Sequence, residues 1–99
     1  MPLLKANEIK TALKQAPGWK QRGKSIQRTF EFEDFVAVMK FVNKVAKLAE
    51  RACHHPDIDV RWNKVTLTLS THSAGGLTEK DFEVALAVVR PARKRTDAS

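Results

Sequence analysis

Two rhythms of apolar and polar positions run along this chain, and the switches between them predict its elements. From Asn7 to Ala16 the apolar residues Ile9, Ala12, Leu13 and Ala16 recur at three- and four-residue spacing, which predicts a short amphipathic helix stopped by Pro17-Gly18. The polar run Lys20 to Ser25, with Gly23 at its centre, predicts a hairpin connection. Ile26, Phe30 and Phe32 then share one face of a strand whose other face carries Gln27, Thr29 and Glu31. Arg28 interrupts the apolar face and is expected near an edge, its stem packed and its head in water. Asp34 is placed to cap a long helix over Phe35 to Cys53, along which Phe35, Val38, Met39, Val42, Val45, Ala46, Ala49 and Ala52 form a broad apolar stripe. Lys40, Asn43, Lys44, Lys47 and Arg51 face mainly the other way. Pro56 biases the preceding residue away from helical angles and so ends this helix near His54-His55.

The rhythm then returns to two. Ile58, Val60 and Trp62 alternate with Asp59 and Arg61, and Val65, Leu67 and Leu69 alternate with Thr66, Thr68 and Ser70. A two-residue Asn63-Lys64 loop would pair Trp62 with Val65, Val60 with Leu67 and Ile58 with Leu69 on one face, with Trp62 packing in the hairpin. The opposite face would be polar and rich in threonine. After a loop containing Gly75-Gly76, Thr78 and Asp81 have capping-box spacing, with Asp in place of the usual Glu, and Phe82, Ala85, Leu86 and Val89 line a last helix to Arg90. The order is helix, strand, strand, helix, strand, strand, helix. It predicts an α+β fold in which three helices pack on one face of a four-stranded antiparallel sheet.

Length and composition narrow the class. The chain of 99 residues is expected to form one domain over residues 1–90, followed by a basic, disordered tail at 91–99. An apolar fraction of 42% with 29% charged residues fits an ordinary globular chain, and no apolar run approaches transmembrane length. The first residues lack the apolar core of a signal peptide. The lone Cys53 excludes an internal disulfide, so a cytoplasmic location is expected. The net charge of +7 raises the question of nucleic acid. The basic residues are dispersed, however: six lie between Lys5 and Lys24, and Arg90, Arg93, Lys94 and Arg95 crowd the C-terminal end. That spread is expected of a solvated surface, and neither a nucleic-acid nor a membrane partner is expected.

The chemistry concentrates between Glu50 and Asp81. All three histidines, His54, His55 and His72, lie in this stretch, and their ordinary pKa range suits proton transfer near neutral pH. Glu50 and His54 are four apart and are expected to share a helix face. In the antiparallel hairpin the chain entering at Asp57 neighbours the chain leaving at Ser70, so His72 is expected to return beside His55. Three imidazoles at one pocket mouth suit general acid and base catalysis, worth typically ~10²–10⁴-fold per step. Adjacent histidines diverge too readily for a tetrahedral zinc site, and no metal is expected.

The set Glu50, His54-His55-Pro56, Trp62, the segment from Asn63-Lys64-Val65 through Leu69-Ser70-Thr71-His72, Gly76-Leu77-Thr78 and Asp81 resembles the pterin-4a-carbinolamine dehydratase family. The resemblance extends more weakly over Pro17-Gly18-Trp19 and the Phe30 to Phe41 region. It implies the same α+β fold. It further implies dehydration, without metal or organic cofactor, of the 4a-hydroxytetrahydropterin left by aromatic amino acid hydroxylases, giving quinonoid dihydropterin and water in tetrahydrobiopterin recycling. His54 and His72 become the acid/base pair, and His55 a substrate-orienting residue that assists one stereoisomer. Glu50 and Asp81 hold the histidines or the pocket, with Pro56, Ser70, Thr71 and Ser73 in the segments that contact the pterin. Cys53 departs from the Asp that many members carry, which bears on any polar contact from that position. Homodimers or homotetramers are implied, and a non-catalytic assembly or coactivator role on the same fold is the alternative.

Overall fold

The structure, a computed structural model, describes residues 2–89. The elements are α1 (Ala6–Lys14), β1 (Lys20–Arg22), β2 (Ser25–Glu31), α2 (Phe35–Ala52), β3 (Asp57–Arg61), β4 (Lys64–Leu69) and α3 (Glu79–Val89), with a short 3-10 turn, His72–Ala74, between β4 and α3. The expected fold class and element order are those observed. The expected tail at 91–99, and the helix end at Arg90, lie outside the described residues.

All four strands form one antiparallel sheet in the order β1-β2-β4-β3. Ile26 pairs with Leu69 and Phe30 with Val65, so the inner face of the two central strands is apolar, and Ile26, Val65, Leu67 and Leu69 are fully buried. Onto them pack Ile9 of α1, Val38 and Val45 of α2, and Phe82, Val84, Ala85 and Val88 of α3. Phe41 of α2 meets Phe30 and Phe32 at ring separations of 4.7 and 5.0 Å, and Trp19 sets its edge against Phe30 at 6.2 Å. Asp34 caps α2 as expected, accepting from the amide of Ala37 at 2.8 Å. The outer face is the expected polar one. There Thr29 bonds Thr66 at 2.9 Å, and Gln27 donates to Thr68 at 3.1 Å.

Two local expectations change. The β3–β4 turn is Trp62-Asn63, not Asn63-Lys64, and the pairs are Val60 with Val65 and Ile58 with Leu67. Asn63 explains the shift, because its carbonyl accepts from the Phe32 amide at 2.8 Å and its side-chain amide donates to the Phe32 carbonyl at 3.3 Å. A slip of two residues keeps every side chain on its expected face. It does move Trp62 from the packed face to the hairpin tip, where it is 70% exposed with φ 48°. Arg28 lies on the core face, but its head is not simply in water. The guanidinium donates to the Pro17 carbonyl at 2.8 Å and sits 4.5 Å from the centre of the Phe30 ring, so it ties the turn after α1 to the sheet.

That tie requires Gly18, whose φ is +91° and whose added Cβ would stand 2.8 Å from Arg28 Cζ. Gly18→Ala should lower the unfolding free energy by about 1–2 kcal/mol, read from the denaturant midpoint, through left-handed strain and displacement of Arg28.

Candidate active site

The site is built where α2 ends. A helix terminus leaves carbonyls without partners, and here a Schellman turn satisfies two of them: Cys53 N–H donates to Glu50 O at 3.2 Å and His54 N–H to Ala49 O at 3.1 Å. The turn needs a left-handed residue, usually glycine, and Cys53 takes that role with φ 54°. Lys80 of α3 donates to the Ala52 carbonyl at 2.8 Å and secures the same end from outside. The reversal at Cys53 swings His54 off the helix face that carries Glu50. The expected Glu50–His54 contact is therefore replaced by two separate pairs.

His54 points inward, its side chain 12% exposed, and its Nε2 lies 2.6 Å from Oδ1 of Asp81. Asp81 is fully buried. Its other oxygen, Oδ2, accepts from the Thr78 amide at 2.9 Å and the Thr71 hydroxyl at 2.9 Å, while the Thr71 and Thr78 hydroxyls bond each other at 2.8 Å. Asp81 thus completes the expected capping box at the start of α3 and also holds a histidine from another element. As a carboxylate Asp81 would accept from Nε2, and Nδ1 is the ring nitrogen of His54 that this bond leaves untouched. His55 Nε2 pairs instead with Glu50 Oε2 at 2.5 Å, in the open, with side chains 60% and 77% exposed.

His72 opens the 3-10 turn after β4 and is exposed. The pairing of Asp57 with Thr68 brings the chain before β3 alongside the chain after β4. As a result Cys53, His54, His55, Ser70, Thr71, His72 and Ser73 line one cleft of about 310 Å³. The expected convergence of the three histidines is observed. Of the other expected site residues, Ser73 is exposed at the cleft, Ser70 lines it while donating to the Lys24 carbonyl at 2.7 Å, and Thr71 is buried and bonded to Asp81. Asp81, Glu50 and Pro56 do not line it. Asp81 and Glu50 each reach it through the histidine they bond, and Pro56, next in the chain after His55, is half-buried. Lys80 is the member of this assembly that sequence reasoning missed, because nothing local to the start of α3 tells that its amine reaches the end of α2.

A larger hollow, about 480 Å³, lies between α1 and α3 over Leu4, Ala12, Phe82 and Leu86, with Glu8, Glu79 and Glu83 on its rim. It offers carboxylates and apolar surface but no histidine. Among the described residues no group of three His, Cys, Asp or Glu is arranged to hold a metal ion.

The comparisons with known proteins agree on a family. The family described as Pterin 4 alpha carbinolamine dehydratase matches residues 2–90. The chain belongs to this family. Among its relatives, a protein of Acidobacterium capsulatum named "Putative pterin-4-alpha-carbinolamine dehydratase" is 53% identical over 88 residues, covering 89% of this chain and 96% of that one. A Nocardia farcinica protein of the same name is 52% identical over 91 residues, covering 92% and 96%. Among solved structures, a transcriptional coactivator/pterin dehydratase from Brucella melitensis superposes with a TM-score of 0.84 at 35% identity, covering 87% of this chain and 94% of that one. A pterin dehydratase-like protein identified as a RuBisCO assembly factor in the alpha-carboxysome superposes with a TM-score of 0.62 at 25% identity, covering 73% and 86%.

The two carboxylate–histidine pairs should answer mutation differently. Asp81→Asn removes the charge that three donors surround and should cost roughly 1–3 kcal/mol of stability, whereas Glu50→Gln, on an exposed pair, should stay within about 0.5 kcal/mol of wild type, both read by urea unfolding.

Proposed function

We propose that this protein dehydrates a 4a-hydroxytetrahydropterin, the pterin-4a-carbinolamine, to quinonoid dihydropterin and water by histidine acid/base catalysis, as a hydro-lyase of tetrahydrobiopterin recycling. The observation that carries this reading is the convergence of three imidazoles on one cleft, with one of them fixed by a buried carboxylate. The reaction needs two proton transfers and no redox change. The C4a–O bond breaks as the hydroxyl takes a proton and leaves as water, N5 loses its proton, and the N5–H electron pair becomes the N5–C4a double bond. A ring whose far nitrogen is held by a carboxylate is suited to accept a proton, as in the serine hydrolase triad. His54 Nδ1 is therefore assigned the N5 proton, and His72 delivers the proton to the departing hydroxyl. His55, steadied by Glu50, binds and orients the pterin, with Ser70, Thr71 and Ser73 offering polar groups along the cleft. Neither a metal nor an organic cofactor takes part.

The upstream reaction on this reading is an aromatic amino acid hydroxylation that leaves the 4a-hydroxy adduct, and the cytoplasm is the proposed location. A non-catalytic assembly role is supported by the likeness to the RuBisCO assembly factor. The intact histidine set favours catalysis. Stopped-flow absorbance of 4a-hydroxytetrahydropterin decay separates the two. The wild type should accelerate it, and His54→Ala and His72→Ala should each lose about 10²–10⁴-fold in kcat while remaining folded. Decay at the uncatalysed rate with wild-type protein would leave the assembly reading in its place.

Self-association is part of the proposal. Ile58 and Val60 on edge strand β3, and Phe35, Val36 and Met39 on α2, are large apolar side chains left exposed in one chain. Sedimentation equilibrium should give a dimer or tetramer; a monomer at micromolar concentration would remove this part.

A further inference from the structure

The structure gathers part of the dispersed charge into a stripe. Lys40, Lys44, Lys47 and Arg51 stand at spacings of four, three and four on α2, so they share one helix face over about 16 Å of axis. Lys40, Lys47 and Arg51 are exposed and Lys44 is half-buried. With Asn43 and Leu48 they line a shallow hollow of about 390 Å³. No acidic residue lies between Lys40 and Lys47 in the sequence, and the next one, Glu50, is engaged by His55. At the Arg51 end Glu83 of α3 lines the adjoining depression with Arg51 and Leu48.

Lys80, near the start of α3, holds the carbonyl of Ala52 at the end of α2, and Val84 and Ala87 lie beside Leu48, so α3 runs back along α2.

We infer that this face of α2 binds the phosphate backbone of double-stranded nucleic acid without reading sequence. A row of cations a few ångströms apart matches a polymer bearing one charge per about 1.7 Å of its axis, and neutralising it releases condensed counterions. The stripe contains no aromatic residue, so it lacks the stacking platform that single strands use. Exposed Phe35 and Met39 lie on a different flank of α2, and Val36, one turn before Lys40, puts a single valine on the stripe's side, which falls short of the broad apolar face that seats a helix in a lipid surface. The face is separate from the histidine cleft, and the inference does not depend on the dehydratase reading.

The test is fluorescence anisotropy of a short fluorescein-labelled DNA duplex of mixed sequence titrated with the full chain between about 50 and 200 mM salt. Wild type should bind with a slope of log K against log salt of roughly −3 or steeper. The double variant Lys40→Gln, Lys47→Gln should bind more weakly, with a slope shallower by about 2. The variant Lys5→Gln, Lys10→Gln, which removes the same charge from α1, should leave the slope unchanged. Far-ultraviolet circular dichroism and thermal melting check that both variants fold. Absence of binding at the lowest salt would overturn the inference, as would an equal loss in the α1 variant. So would displacement of the duplex by polyglutamate of equal charge concentration, or Lys40- and Lys47-dependent binding to phosphatidylserine vesicles without binding to the duplex.

Discussion

A carboxylate without solvent is tolerable only if hydrogen bonds replace the water it has lost. Asp81 is such a group, and the geometry of the site follows from how it is satisfied. Its donors come from three places in the chain: the Thr78 amide at the start of α3, the Thr71 hydroxyl just beyond β4, and the His54 ring just beyond α2. Thr71 and Thr78 are separated only by the loop that holds the 3-10 turn, but His54 stands 27 positions before Asp81, beyond the whole β3–β4 hairpin. The need to surround one charge therefore fixes the end of α2, the end of β4 and the beginning of α3 relative to one another. Those three ends carry the walls of the histidine cleft.

The helix end adds a second constraint. A terminus leaves carbonyls unpaired, and the Schellman turn with Cys53 in a left-handed conformation satisfies two of them while reversing the chain. The reversal separates His54 from His55 so that adjacent residues enter different environments, one inward to Asp81 and one outward to Glu50. Lys80 links the constraints, because the helix that presents Asp81 also supplies the amine that bonds Ala52. Rigidity is thus concentrated on His54, while His55 and His72 keep open rings.

How much of this was legible in the sequence depends on the range of the interaction. The elements and the sheet could be read because their signal is periodic and local: Ile26, Phe30, Val65, Leu67 and Leu69 declare one face by alternation. Convergence of the histidines could be read because hairpin topology alone brings residue 55 to residue 72. The β3–β4 register could not, since Asn63 is held by Phe32, a residue 31 positions away whose role no turn propensity encodes. The partner of Glu50 was misread for a related reason. Helical spacing pairs it with His54 only if the helix continues, and a left-handed cysteine is not announced by its residue type. Asp81 was visible as a cap, but its second role requires knowing that Thr71 and His54 arrive at the same place.

Exposure then divides the three imidazoles in a way that suits a reaction with two unlike proton transfers. A ring tied at one nitrogen to a buried carboxylate has a fixed orientation and one defined lone pair, which favours taking a proton from a group held in place. A ring at the mouth of the cleft exchanges protons with water freely, which favours supplying one to a leaving group that itself departs as water. On the mechanism proposed above, two identical side chains would perform opposite tasks because the fold gives one a partner and leaves the other to solvent. The distinction lies in Asp81 and in the turn that aims His54 at it, not in the histidines themselves.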